Sequence, residues 1–368
     1  MAGLVFICPF DLDRTSGTPV RARTTIQAVS GSYSTAILAT GGSLPGTRTI
    51  ERAWLRREGR EPQFRLDRFA LDTFRCLKEL RPKTIHGIST PSFAPGLAYK
   101  LLNPSVKLVL ESHGLTQLEA VSANPLYRQV SALIDSAGIR WADDLILMSH
   151  SQKKYYSEAF GRSDAGTHVI WGPVDTGPTP VTDPPPAPPF LLGYLGGGSH
   201  WQGLETILQA ARLLADSKNI VVRLAGVQKT DLSGEIPPNV EVLGTIPPDR
   251  GDSFLQGCHA LLSTRVGGPV AQTQYPHKLS YYLAAGRPIL ASDVSDQAEI
   301  VNQAECGFTF PSENPDALAQ AARAVASLSP EERIKMGLSA RRFAEIHLTT
   351  ARLADRLGKI YEGPGKSG

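Results

Sequence analysis

The sequence is poor in cysteine and in long apolar runs, and its charge is nearly balanced. Each lack excludes a class. Four cysteines, Cys8, Cys76, Cys258 and Cys306, are spread over 368 residues and none form a Cys-x-x-Cys pair. Neither a zinc knuckle nor a disulfide framework is indicated. Their apolar settings, such as VFICPF, read as buried thiols in a reducing compartment. No apolar stretch approaches the ~18 residues that a membrane span needs. The start, MAGLVFICPFDLDR, lacks a basic segment followed by a long apolar one and reads as a first strand rather than a signal peptide. A cytoplasmic location is the expectation. The net charge of +3 is too small to argue for nucleic acid. Asp11-Leu12-Asp13 offers one pair of carboxylates without companion ligands, which reads as a solvated turn rather than a metal site.

What is present is ordinary for a globular chain: 41% hydrophobic and 20% charged residues, enough length for about two domains. Short β-rich runs alternate with helical patterns. Leu4–Cys8, Tyr33–Ala39, Thr84–Gly87, Lys107–Glu111, Asp144–Met148 and Thr167–Trp171 read as strands, the more apolar of them buried on both faces as in parallel sheets. Thr176–Pro189, TGPTPVTDPPPAPP, carries seven prolines in fourteen residues and reads as a stiff spacer. The alternation then restarts. Phe190–Tyr194, Ile220–Ala225, Val240–Leu243, Ala260–Ser263, Pro288–Ala291 and Gly307–Phe310 are expected strands. Leu204–Ala215, Pro315–Ala326 and Pro330–Ile346 are expected helices, the last two opened by a proline suited to a first turn. The fold class is α/β, with two Rossmann-like domains in tandem facing a central cleft. The expected partition is a first domain over 1–175, a Pro-rich linker over 176–189 and a second domain over 190–349.

Several motifs fall at strand ends. After the first strand, Thr15-Ser16-Gly17-Thr18 forms either a plain turn or a loop whose backbone donors, with Arg21 and Arg23, face an anion. LVLESHG sets Glu111, Ser112 and His113 at the end of another strand, where a histidine is either structural or a hydrogen-bonding group that titrates near neutrality. Ser149 is placed to cap a helix. Ile50–Phe69 interleaves six arginines and four acids with Trp54, Leu55, Phe64 and Leu66. It reads as a solvated strip, with weak contact to anionic lipid as the alternative. In the second half, Gly196-Gly197-Gly198 lies between a strand and a helix, a spacing that lets backbone approach phosphate. Arg265 follows a strand, and Gly267-Gly268 makes the next loop. Lys278, just after Pro276, sits near the start of a helix, where a cation beside backbone donors suits a diphosphate. Gly286-Arg287-Pro288 ends that helix.

The order of strand, glycine turn and Gln-Gly-Leu helix, then PHKLSYYLAAGRPILASD, then Glu299-Ile300-Val301, resembles the retaining GT-B glycosyltransferases of family 4 (group 1). SGTPVRA looks like that family's first acceptor-side loop, ESHG like its strand ending in an active-site histidine, and WGPVD like its Asn-Gly-Val-Asp corner. The resemblance covers nearly the whole chain, and Lys278–Ser292 is its most specific part. It implies that 1–175 is the acceptor-side domain and 190–349 the nucleotide-sugar-binding domain, with the last helix near 350–368 packing back on the first. It implies hexosyltransferase-type transfer of a sugar from a nucleotide-diphosphate sugar, with retained configuration, by cations and backbone donors rather than a metal. The implied co-substrate is a UDP- or GDP-sugar with no other cofactor. The implied acceptor is a glycan, lipid-linked or small molecule, as in polysaccharide assembly. In the implied site His113, Lys278 and Arg265 are catalytic, with His113 orienting the donor sugar. Gly196, Gly197, Gly198, Gln202, Arg265, Lys278, Leu279, Ser280 and Tyr281 line the donor site, and Ser16, Gly17, Thr18 and Arg21 form an acceptor or phosphate loop. The implied location is cytoplasmic or peripheral at the inner face of a membrane.

The chain departs from the family pattern at the donor site. Gly197 stands where the family often has arginine, Gln202 where it often has lysine, and Tyr281 where a glutamate normally binds ribose; the earlier acid of that pair falls near Thr273. Arg265 and Lys278 are then expected to carry the diphosphate, and the ribose contact passes to Ser280, the Tyr281 hydroxyl or a backbone group. Two other classes remain open. One is a degenerate GT-B domain that binds nucleotide or a partner without turnover. The other is an epimerase or hydrolase on the same fold, for which only Glu111 and Glu299 offer acid–base carboxylates.

Overall fold

In the computed structural model the described residues are 3–14, 17–57, 60–115, 125–176, 180–181, 185–216 and 219–363. They divide into two compact units: Met1–Pro173 together with Thr350–Gly368, and Val174–Thr349.

The first unit runs β1 (Leu4–Asp11), α1 (Gly17–Ser30), β2 (Thr35–Gly41), β3 (Thr47–Thr49), β4 (Trp54–Arg57), β5 (Arg60–Phe64), α2 (Leu66–Leu80), β6 (Thr84–Ile88), α3 (Thr90–Leu102), β7 (Lys107–Ser112), α4 (Pro125–Trp141), β8 (Asp144–Leu147), α5 (His150–Phe160) and β9 (Thr167–Val169). Seven strands form one parallel sheet in the order β3-β2-β1-β6-β7-β8-β9. Val5, Phe6, Ile7 and Cys8 are wholly buried, as a central parallel strand covered on both faces requires. The order reverses between β1 and β6, the position where the loops beyond the strand ends diverge and leave a crevice. Ser149 caps α5, its hydroxyl accepting from the Gln152 N–H at 2.9 Å.

The segment read as a solvated arginine-rich strip contains an antiparallel hairpin, β4 on β5, with Trp54 in register opposite Phe64, followed directly by α2. Its two strands, WLRR and REPQF, have no apolar alternation, so no period of two announces them. The strand expected over Thr167–Trp171 ends at Val169, because the Trp171 carbonyl turns away to accept from Arg21. β3 is three residues long, too short to leave a periodic signal.

The second unit runs β10 (Phe190–Leu195), α6 (Leu204–Leu213), β11 (Ile220–Ala225), β12 (Val240–Gly244), α7 (Gly251–Gln256), β13 (Ala260–Ser263), α8 (Pro269–Gln272), α9 (His277–Ala285), β14 (Ile289–Ser292), α10 (Gln297–Gln303), β15 (Gly307–Phe310), α11 (Pro315–Ser327) and α12 (Pro330–His347). Its six strands are all parallel, in the order β12-β11-β10-β13-β14-β15, with the reversal between β10 and β13. Leu204, Ile207, Leu208 and Ala211 form the inward stripe of α6 and pack in one core with Leu192, Leu224, Leu262 and Leu290. Asn314 caps α11, and Ser329 with Glu332 forms a reciprocal capping box on α12. Gly286 closes α9 in the left-handed conformation, at φ 67°. There α9 and α12 meet backbone to backbone: a Cβ on Gly337 would stand 2.2 Å from the Gly286 carbonyl oxygen.

The chain then returns to the first unit as α13 (Thr350–Glu362). Leu353, Leu357, Ile360 and Tyr361 form its buried stripe, packed on α1. Arg356 donates to the Val169 carbonyl at 2.6 Å, Lys107 donates to the Ile360 carbonyl, and the Tyr33 hydroxyl donates to Glu362 at 3.0 Å. The three aliphatic side chains contribute about 1.5–3 kcal/mol each by burial.

The four cysteines are free and buried, and burial pushes the Cys258 and Cys306 thiols up to about 12, which leaves them unreactive. No helix among the described residues is long and apolar enough to cross a membrane, and they contain no group of three metal-ligating side chains. Asp11 and Asp13 serve the turn after β1: Asp11 accepts from the Asp13 N–H at 2.9 Å, and Asp13 accepts from the Ser43 N–H and hydroxyl.

Candidate functional site

In the second unit, two loops meet at the strand reversal. Beyond β10 the chain passes through Gly196–Gly198 and a tight turn over His200–Gln202 before α6. Beyond β13 it passes through Thr264 and Arg265. The Thr264 hydroxyl donates to the Gln202 carbonyl at 2.7 Å, and the Val266 N–H donates to the Trp201 carbonyl at 3.0 Å, so the loops are fastened to each other. Gly203 permits this approach, with φ 70° and an added Cβ 3.2–3.3 Å from Thr264 and Arg265. Gly198 is fixed differently: a Cβ there would strike the Asp231 side chain at 2.5 Å. Gly197 faces open space, and within the described residues its N–H and that of Gly198 have no acceptor.

Lys278, second residue of α9, reaches into this place. Its Nζ lies 4.1 Å from the centre of the Tyr194 ring and donates to the Gln202 side-chain oxygen at 2.8 Å. The Tyr194 hydroxyl donates to the Gly197 carbonyl at 2.9 Å. Arg265 is buried and donates to Gln274 Oε1 at 3.0 Å. Burial, and then the charge of Arg265, hold Lys278 well below the usual lysine range. Among the described residues Lys278 forms no ion pair. A buried cation is expensive unless something anionic meets it. The arrangement is therefore built for an anion: two cations, free backbone N–H groups and an open glycine.

The structure thus gathers Gly196, Gly197, Gly198, Gln202, Arg265 and Lys278. It does not bring the next three α9 residues to the same place. Leu279 is fully buried on the core side of the helix. Ser280 is buried, its hydroxyl 2.9 Å from that of Tyr275. Tyr281 is 41% exposed. Thr273, at the other family acid position, is buried and donates to the Pro269 carbonyl at 2.9 Å. Tyr194 and Gln274 were missed by sequence reasoning. Tyr194 looks like any apolar strand residue; its one signal was its place directly before the glycine turn.

In the first unit, β7 ends in Glu111, Ser112 and His113. Glu111 is completely buried. Its Oε1 accepts from Arg21 Nε at 3.0 Å and from His113 Nε2 at 2.6 Å, while His86 Nε2 faces Oε2 at 3.4 Å. His86 Nδ1 lies 2.7 Å from the Tyr361 hydroxyl on α13. Burial raises the Glu111 carboxyl, but the Arg21 charge and the bonds from His113 and His86 outweigh it, so the group lies well below its usual range. The expectation that Arg21 faces an acceptor phosphate is corrected here. Arg21 sits on the inward face of α1, 1% exposed, paired with Glu111 and donating to the Trp171 carbonyl at 2.7 Å. Arg23 likewise holds the turn through the Leu12 and Arg14 carbonyls. Gly17 and Thr18 are the first residues of α1, and Ser16, with Thr15, lies outside the described residues.

Residues 183–343 match the family model of group 1 glycosyl transferases. The match falls on the second unit, and the cations just described lie inside the matched span. No curated protein sequence matches the chain. Among solved structures the likeness runs the full length. Sucrose-phosphate synthase from Thermosynechococcus elongatus is 15% identical with a TM-score of 0.72, over 98% of each chain. WaaG, a glycosyltransferase involved in lipopolysaccharide biosynthesis, is 13% identical with a TM-score of 0.72, over 98% of this chain and 100% of that one. Anabaena HepE, solved with UDP, is 13% identical with a TM-score of 0.72, over 98% and 99%. At such identities the likeness shows the fold: two parallel-sheet Rossmann-like units of the GT-B kind.

Proposed function

We propose that the protein is a retaining glycosyltransferase that moves a sugar from a nucleotide-diphosphate sugar to a glycan, lipid-linked or small-molecule acceptor without a metal ion. The observation that carries the reading is Lys278, partly buried beside the buried Arg265 with no carboxylate partner among the described residues, near an open glycine turn. Such a site costs stability when empty and is repaid by a diphosphate. HepE, of the same fold, has been solved with UDP and with UDP-glucose, which supports a UDP-sugar as donor and co-substrate; no further cofactor enters the proposal.

In the proposed reaction the bond from the anomeric carbon to the diphosphate oxygen breaks and the acceptor oxygen bonds to the same face of that carbon. The leaving phosphate oxygen takes the acceptor's proton. Lys278, Arg265 and the Gly197 and Gly198 N–H groups stabilise the charge that develops on the diphosphate. His113 holds the donor sugar, as the family resemblance implies. Weak peripheral contact with an anionic membrane would fall to the hairpin β4–β5.

The test is a panel of UDP-, GDP-, dTDP- and ADP-sugars, read by thermal shift and nucleotide release. The matching nucleotide, at a hundred times its Kd, is expected to stabilise the protein by about 2.7 kcal/mol. Product NMR should show retained anomeric configuration. No shift with any nucleotide would overturn the reading. One observation favours a second reading, a nucleotide-binding domain without turnover: Gln202 stands where the family often has lysine and spends its side-chain oxygen on Lys278. A thermal shift with no transfer to glycan, lipid-linked or small acceptors would favour that alternative.

A further inference from the structure

The glycosyltransferase reading leaves unexplained why Glu111 is buried behind His113 with Arg21 on the same oxygen. We infer that Glu111, held by Arg21, is a positioning residue that locks His113 with its proton on Nε2, so that Nδ1 is presented to the ligand as a hydrogen-bond acceptor. The inference rests on the glycosyltransferase reading for the ligand's identity, but its geometry stands alone.

Glu111 accepts only, because it is ionised; the atom it meets on His113 must therefore be a donor. That assigns the proton to Nε2. A neutral imidazole then has one remaining valence, an acceptor at Nδ1. Nδ1 is buried and has no hydrogen-bond partner in the described residues, an arrangement that native structures rarely leave standing without a purpose. The sugar atom that fits it is a hydroxyl hydrogen, not a carbonyl or phosphate oxygen.

The support behind Glu111 is equally specific. Arg21 is fixed at both ends, by Nε on Glu111 and by Nη1 on the Trp171 carbonyl. The second carboxylate oxygen faces His86, which is in turn held by Tyr361 at 2.7 Å. With its proton on Nε2, His86 turns it toward Glu111 Oε2 and accepts from the Tyr361 hydroxyl at Nδ1, so α13 supplies the outermost member of this support.

The experiment reads histidine tautomers in 15N-labelled full-length protein by long-range proton–nitrogen correlation, with His113→Gln assigning the signal. In the nucleotide-free protein His113 is expected to carry its proton on Nε2; a proton on Nδ1 would overturn the inference. Glu111→Gln should give a mixture of tautomers. With the donor that the sugar panel identifies, it should lower kcat by about 10- to 100-fold while nucleotide Kd changes less than about twofold. An unchanged tautomer with unchanged kcat would overturn the positioning role. Should Glu111→Gln not fold, Arg21→Lys and Arg21→Met form the second pair. The lysine variant should recover most of the tautomer fixation that the methionine variant loses, and equal behaviour of the two would count against the inference. Failure of the glycosyltransferase reading would show as no nucleotide binding, with the tautomer measurement still decisive on its own.

Discussion

The two units each bury charge at a strand end, and they do so in opposite ways. In the first, Glu111 meets Arg21, His113 and His86, so the charge is answered inside the protein. In the second, Lys278 meets an aromatic face, an amide oxygen and another cation, so its charge is answered by nothing anionic among the described residues. A paired buried charge organises its neighbours. An unpaired one keeps a place for a ligand. The same feature, a charged side chain at the carboxyl end of a parallel sheet, is thus answered within one unit and left unanswered in the other.

Breaking the pair in the first unit should have the largest effect. Arg21→Met leaves the Glu111 carboxylate buried and uncompensated, and should cost about 3–5 kcal/mol. Calorimetry should record the loss as a fall of roughly 10 °C in Tm. A loss under about 1 kcal/mol would mean that Glu111 is not held as described.

The matching change in the second unit should have the opposite sign. Lys278→Met removes a cation that the empty protein pays for, and should raise stability by about 1–3 kcal/mol. It should also weaken nucleotide binding by tenfold or more, the loss of charge-assisted contacts. Thermal melts with and without UDP measure both; a methionine variant that is destabilised, or that binds UDP normally, would remove Lys278 from the site.

The comparison extends to pH. The depressed Glu111 contributes stability that is present above its unfolded value near 4.5 and is lost as pH falls through its lower folded value. Lys278, also depressed, releases its proton on folding in the window between its lowered value and the ordinary 10.5. There the unfolded chain binds more protons, so stability rises with pH across that window. Lys278→Met should flatten the alkaline slope and leave the acid one intact. Binding of UDP should take up a proton at Lys278, seen as a calorimetric heat that varies with the buffer's ionisation enthalpy.

The smallest effect is a gain. Gly197 faces open space and its φ is not in the left-handed region, so Gly197→Arg adds a cation at the turn without a clash. It should tighten UDP binding by about 1 kcal/mol, roughly fivefold. Weaker binding would show that the turn cannot accept a side chain once nucleotide is present.

Much of this was legible in the sequence, for identifiable reasons. The parallel strands are apolar throughout, so β11, β13 and β15 could be bounded to the residue from composition alone. Lys278 and Arg265 were readable because Gly286-Arg287-Pro288 and the glycine loops fix their positions relative to strands. The hairpin β4–β5 was not readable, since WLRR and REPQF carry no alternation of apolar and polar residues. Arg21 was misread because a cation after a glycine loop looks like a phosphate ligand; only the turn of α1 decides that it points inward. Its partner lies 90 residues away, and Tyr361 lies 275 residues from His86. Such pairings are tertiary, and no local pattern announces them.

The placement of α13 bears on the order in which the protein is made. Synthesis delivers all of β1 to β9, then the entire second unit, and only then the helix that covers α1 and supplies Tyr361. Domains generally fold as their chain emerges. Here the first unit must wait, with the α1 face exposed and His86 lacking its partner, until a whole foreign domain has been translated. The support for His113 is therefore complete only after the second unit already exists, and a nascent chain cut short within that unit cannot assemble it.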